Sequence, residues 1–203
     1  MKKLYERIDD IDIKGDISQL TEMVTTIDIA LQNVAEQTDQ LTMNLVRYSA
    51  SNKGTQYEKI VEHTIELRDE LSEASLELND MQNQIVDYQN KVYRYEDRNE
   101  YAAKPHPYLV NTNQSINVET TVVQFEKAEM RQVVALLNNY SQTVVFQMRT
   151  ILQKKNDIEM VWRDSQYRDF AAFVDEISNR VKVALKEYQE YARYLNGKIE
   201  ELS

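Results

Sequence analysis

"VWRDSQYRDF", residues 161–170, interrupts a long run of polar helical sequence and holds the only tryptophan of the chain. "NKGTQYEKI", residues 52–60, carries the same Gln-Tyr pair, with an apolar residue following at the same distance. Tyr57 and Tyr167 lie 110 positions apart. Read together, the two stretches are the turns of a repeated unit, and the sequence flanking each of them decides the fold.

That flanking sequence keeps a heptad seam. Leu20, Val24, Ile27, Leu31, Val34, Thr38, Leu41, Leu45 and Tyr48 alternate steps of four and three, with Thr38 the one polar member. The seam resumes at Tyr57 and runs through Ile60, Thr64, Leu67, Leu71, Ala74, Leu78, Met81, Ile85, Tyr88 and Val92 to Tyr95. Adding 110 gives a third run from Met130 to Ile158, broken by Ser141 and Lys155, and a fourth from Tyr167 to Leu195 without a break. A period near 3.5 keeps one apolar stripe turned toward a partner helix. The expectation is an all-α chain of two long helical hairpins joined by a linker, a four-helix-bundle or coiled-coil-like arrangement. Few identities survive between the halves, so the seam and the shared turn carry the repeat.

Composition points the same way. Three glycines and two prolines in 203 residues leave little turn material, which favours a few long helices over many short strands. Cysteine is absent, so disulfide and thiol chemistry are excluded. No stretch reaches the ~18 consecutive apolar residues of a membrane span, and the N-terminus lacks the apolar core of a signal peptide. The expectation is a chain that starts in the cytoplasm and inserts in no membrane, a leaderless export route staying open. Residues 1–103 carry 11 basic and 21 acidic side chains, whereas residues 104–203 carry 13 of each. Phosphate binding needs clustered cations, so the acidic half argues against nucleic acid. Its acids read as a solvated helix face.

The boundaries follow from start and stop signals. Asp16 with Gln19, Thr55 with Glu58 and Thr121 with Gln124 are spaced as N-caps with a returning side chain, and Ser165 offers a capping hydroxyl. Both prolines fall in "AAKPHPYLVNTNQSIN". Residues 1–103 are thus expected to form the first hairpin, 104–120 a linker and 121–203 the second hairpin. Residues 1–14 add a short amphipathic turn through Leu4, Tyr5 and Ile8.

In the turns, Asn52-Lys53-Gly54 answers Trp162-Arg163-Asp164. Gly, and less easily Asn or Asp, tolerates the left-handed backbone that a helix reversal often needs. This arrangement resembles the WXG100 (ESX-type) family of helical hairpins, whose signature is Trp-any-Gly in the turn. The first half keeps Gly54 with Asn52 in place of Trp, and the second keeps Trp162 with Asp164 in place of Gly. The resemblance covers nearly all the chain apart from the N-terminal segment and linker. It implies hairpins paired as dimers, here fused in tandem, and a helical protein-interaction module serving a type VII-like secretion pathway as substrate, carrier or chaperone. It also implies a Tyr-x-x-x-Asp/Glu export signal after the second helix, a spacing met by Tyr93 and Asp97. The second half has Lys198 where that acid belongs. Tyr5 and Asp9 share the spacing in another place.

No active site emerges from the residues, and the expectation is a non-enzymatic protein with no cofactor, no metal and no small-molecule substrate. His63 has no second helical histidine to pair with, and His106 lies between the prolines away from any triad. Aromatic rings with a polar handle suit half-buried seams and interfaces. Tyr88, Tyr95, Tyr188 and Tyr191 lie on the seam and are assigned to the core, while Tyr93, Tyr101 and Tyr194 lie off it. Trp162 is either core or a recognition knob, and the polar neighbours Arg163 and Asp164 favour partial exposure. The partner-binding set is therefore Trp162, Arg163, Asp164, Tyr93, Asp97 and Tyr194. In a fused antiparallel dimer, Tyr93 and Asp97 come together with Trp162 as one composite surface. The partner expected is a helical protein or a second copy; the alternative is an intracellular coiled-coil scaffold with no export role.

Overall fold

Most of the seam positions are buried. Leu20, Ile27, Leu45, Ile60, Leu67, Ile85, Met130, Phe170 and Val174 are all at most 1% exposed. The computed structural model describes residues 17–201, within which four helices form: α1 (Ser18–Tyr48), α2 (Thr55–Tyr95), α3 (Lys127–Ile158) and α4 (Ser165–Glu201). Chain reversals at 49–54 and 159–164 make two antiparallel hairpins, as the paired interruptions of the heptads predict.

The hairpins pack on each other so that α1 lies along α3 and α2 along α4. Both pairs are antiparallel. Near one end of the bundle, Tyr48 donates to Gln132 (2.7 Å), and near the other Lys154 reaches Gln19 (3.0 Å). On the other side Tyr191 donates to the Gln56 carbonyl (3.0 Å), and Arg180 meets Glu70 midway (3.2 Å). A lone hairpin would leave an apolar stripe in water, and here each hairpin covers the other's.

The spacing of 110 is visible in this packing. The Tyr57 hydroxyl donates to the Leu45 carbonyl (2.5 Å), and the Tyr167 hydroxyl donates to the Lys155 carbonyl (3.1 Å). Donors and acceptors are both 110 positions apart, so the same bond closes each hairpin. Glu70 and Arg180 are also equivalent, and they contact each other. Two equivalent residues meet only beside a two-fold axis, which places the axis relating the hairpins next to this ion pair.

Between α2 and α3 the chain is extended and returns along the first hairpin. Asn79 Nδ2 donates to the Tyr108 carbonyl (2.9 Å), Arg68 donates to the Gln114 carbonyl (2.7 Å), and Val110 and Ile116 are buried. The extended path continues past residue 120, because Lys53 and Gln124 form an antiparallel backbone bridge and α3 begins only at Lys127. The expected linker is thus longer than 104–120 and is part of the packed structure.

The caps differ from the expected ones. Glu126, and not Thr121, caps α3 by accepting from the Ala128 amide. Gly54 occupies the cap position of α2 at φ 101°, so Thr55 already lies inside the helix and makes no side-chain cap bond. Asp164, one residue before Ser165, caps α4 by accepting from the Gln166 and Tyr167 amides (2.9 and 3.1 Å). Asp16, Tyr5, Asp9 and the amphipathic turn over residues 1–14 lie outside the described residues.

Candidate interaction surface

Trp162 is wholly buried, which corrects the expectation of partial exposure. Its indole stacks on Tyr88 at 5.1 Å and on Phe170 at 5.7 Å, with Tyr167 edge-on at 5.8 Å. Asp164 is buried beside it. One carboxylate oxygen caps α4 and the other accepts from the Tyr88 hydroxyl (2.5 Å). The polar neighbours that suggested a wet turn are thus divided. Asp164 faces inward with its acceptors satisfied, and only Arg163 faces solvent. Arg163 lines a shallow concavity of about 470 Å³ with Met160, Glu159, Tyr167 and Arg168.

The first turn is pinned at the equivalent position. Asn52 is buried, donates to the Tyr48 carbonyl (3.1 Å) and to Glu129 (2.9 Å), and accepts from the Glu126 amide (3.1 Å). Gly54 has a positive φ, and a Cβ there would come within 3.4 Å of the Val122 carbonyl. Both observations explain the residue types. An amide supplies donors and an acceptor together, and a glycine accepts the backbone that an L side chain resists.

Tyr93 and Asp97 are one local structure. Asp97 has φ 54°; its amide donates to the Arg94 carbonyl (3.2 Å) and the Arg98 amide donates to the Tyr93 carbonyl (2.9 Å). Those two bonds are a Schellman C-cap of α2, with Asp97 in the left-handed position. Arg98 then lies over the Tyr93 ring at 4.8 Å, supplying the contact that usually accompanies this cap. Tyr93 is 7% exposed, so it is not an open interface residue, whereas Asp97 is exposed. The tail of α2 does reach the second turn, through Tyr88. An exposed composite of Tyr93, Asp97 and Trp162 does not form, because both rings are buried.

Tyr194 is 45% exposed, as expected of a residue off the seam. It belongs to a surface ladder in which the His63 ring lies tilted against Tyr191 (4.7 Å), Tyr191 lies tilted against Tyr194 (5.8 Å), and the Lys198 ammonium sits over the Tyr194 ring (5.8 Å). Burial pushes the Tyr191 hydroxyl up to about 12. Tyr95, assigned to the core by its seam position, is 73% exposed, and Tyr101 is 81% exposed. Sequence periodicity names neither the His63–Tyr191 contact nor Tyr88 as the partner of Trp162. Both join residues from different hairpins.

Among the described residues no group of three or more His, Cys, Asp or Glu side chains is placed to hold a metal. Three acids, Glu70, Glu73 and Glu77, gather around Arg180. Burial raises the Glu70 carboxyl above its ordinary range, and Arg180 opposes the rise. No helix in the described residues is long and apolar enough to cross a membrane. Comparison of the chain with protein-family models, curated proteins and solved structures gives no match.

Proposed function

We propose that this chain is a non-enzymatic helical interaction module, similar to a WXG100 dimer fused into one polypeptide, that serves a type VII-like secretion pathway as substrate, carrier or chaperone. The observation that carries the reading is the antiparallel pairing of two hairpins closed by the same hydrogen bond, Tyr57 to Leu45 and Tyr167 to Lys155. A duplicated hairpin gains nothing catalytic from this symmetry, but it covers its own apolar face and leaves its outer faces for partners. Arg163 with Met160 at the second turn, Asp97 at the end of α2 and Tyr194 in the aromatic ladder are the exposed groups assigned to partner contact. Trp162 and Asp164 are assigned to holding the turn that presents Arg163. Expression of the tagged chain in its host, with and without the membrane ATPase of the secretion system, tests the reading. The chain is expected in the medium only when the ATPase is present; retention in both strains overturns the export role.

A second reading, an intracellular scaffold that recruits a helical subunit, is favoured by one observation. The residues matching the signature and the export spacing, Trp162 and Tyr93, are buried and serve the turn and the helix cap. On this reading a pull-down yields a helical partner whose capture is lost on Arg163→Glu or Tyr194→Ala, with no ATPase dependence.

A further inference from the structure

The two hairpins are equivalent, yet among the described residues only the first has its outer groove covered. There the extended segment before α3 lies over α1 and α2 and is held through its backbone. Arg68 donates to the Gln114 carbonyl, Asn79 donates to the Tyr108 carbonyl, and Ser75 accepts from the Val110 amide. Moved by 110 positions, those side chains become Ser178, Gln189 and Leu185. None repeats the task. Ser178 is enclosed, Gln189 donates to Ser141, and Leu185 has no polar atom. The floor changes in the same sense. Ala35, Thr38 and Thr42 are answered by Val145, Met148 and Leu152, which stay half-buried along an open groove of about 230 Å³ between α3 and α4.

We propose that this groove docks an amphipathic helix of a partner protein, apolar on the face it buries and acidic along its flanks. An extended occupant would bury backbone N–H and C=O groups that no side chain here holds, whereas a helix satisfies its own. Length fits. Val145, Arg149 and Gln189 also line a shallower concavity of about 850 Å³ that carries the cleft on to Asn139 and to Phe146, which is 65% exposed. Leu152 to Asn139 is roughly 20 Å along α3, enough for a helix of about three and a half turns. Charge selects the partner. Arg149, Lys182 and Lys186 are exposed on the rim. Among the described residues the first two have no ion pair, and Lys186 has only Glu190 at 3.9 Å. The equivalent positions of the covered groove, Asp39, Ser72 and Leu76, carry no cation. Apolar contact supplies most of the hold, and opposite charge fixes which helix is taken. The inference rests on the reading of the chain as a helical interaction module, on a face other than that of Arg163, Asp97 and Tyr194, and it does not require export.

A displayed library of helical peptides about 18 residues long, selected on the full-length chain, tests this. Apolar residues are fixed along one helical face, and the flanking positions are left free among Glu, Lys and Gln. Selection is expected to enrich Glu on the flanks, and the selected peptide is expected to shift the methyl resonances of Val145, Met148 and Leu152. Lys182→Glu with Lys186→Glu, at exposed positions that leave the core intact, is expected to weaken that peptide by about tenfold or more. Reselection on this variant is expected to turn the preference from Glu to Lys. No enrichment, enrichment without a charge preference, or shifts away from the groove overturns the proposal. A proline placed in the middle of the peptide is expected to abolish binding, and undiminished binding of that peptide overturns the helical occupant. Export with and without the ATPase, and capture through Arg163 and Tyr194, are read separately, so an idle groove leaves the interaction-module reading standing.

Discussion

Glu70 and Arg180 occupy the same place in their respective hairpins and are ion-paired with each other at 3.2 Å. Equivalent positions carry opposite charges where they meet at the axis, which avoids the like-charge contact that an identical pair would create. Glu73 and Glu77 share the same guanidinium. Arg180→Ala leaves three acids close together, one of them already raised by burial. A loss of about 1–3 kcal/mol is expected near neutral pH. Without the cation Glu70 resists ionisation further in the folded chain, while the unfolded chain ionises normally. The extra loss therefore develops as pH rises through the carboxylate range. Urea melts at about pH 7 and about pH 4 are expected to show the larger penalty at the higher pH; an equal penalty removes the electrostatic account.

The bonds from Tyr57 to Leu45 and from Tyr167 to Lys155 make a matched pair of variants. Tyr57→Phe and Tyr167→Phe each delete one buried hydroxyl and leave a carbonyl with a poorer partner. Each is expected to lose about 1 kcal/mol, and the double variant about twice that, because the turns lie at opposite ends of the bundle. Denaturant unfolding measures all three. A large loss for one and none for the other contradicts the equivalence of the turns.

Much of this architecture is legible in the sequence, because helical periodicity is a local signal. The interrupted seam gives the four helices and both reversals. The failures share a cause, which is that exposure is set by residues far away in sequence. Trp162 sits between Arg163 and a side that sequence cannot show, where Tyr88 and Phe170 cover it. Tyr95 keeps the seam period and is left in solvent at the end of α2, while Tyr93 is covered by Arg98 after the chain turns. The segment before α3 has no period to read, so its backbone contacts with Arg68 and Asn79 have no sequence signature.

Trp162 is a buried structural residue. Trp162→Ala opens a large cavity against Tyr88 and Phe170 and is expected to cost about 3–5 kcal/mol. The indole Nε1 is buried without a hydrogen-bond partner. Trp162→Phe keeps most of the ring and removes that donor, so it is expected to cost well under half as much. Equilibrium unfolding followed by circular dichroism measures both. A change within about 0.5 kcal/mol for the alanine variant is the outcome for an exposed side chain.

Alkaline stability follows from the buried phenols. Burial pushes the Tyr167 hydroxyl up to about 12, and it raises Tyr57, Tyr140 and Tyr188 as well. The folded chain keeps these protons above pH ~10, where an unfolded chain releases them. The stability they contribute is present below pH ~10 and is lost as pH rises toward the folded values, by up to ~1.4 kcal/mol per unit for each group. Urea melts between pH ~9 and ~11 are expected to show a steepening loss, with tyrosinate absorbance rising in step with unfolding. Complete ionisation of all the tyrosines in a still-folded chain rules out their burial.

The second hairpin's turn packs on the tail of the first hairpin's second helix within one chain, through Trp162 and Asp164 against Tyr88. Trp162 is the only tryptophan, so its indole protons are unambiguous in a proton spectrum. Nuclear Overhauser contacts between the Trp162 indole and the Tyr88 ring are the direct measurement, recorded on uniformly labelled protein and on a mixture of labelled and unlabelled chains. Ring centroids 5.1 Å apart predict strong cross-peaks in the first sample and none between chains in the second. Absence of the cross-peaks, or their appearance only between labelled and unlabelled chains, contradicts the packing of the two hairpins within one chain.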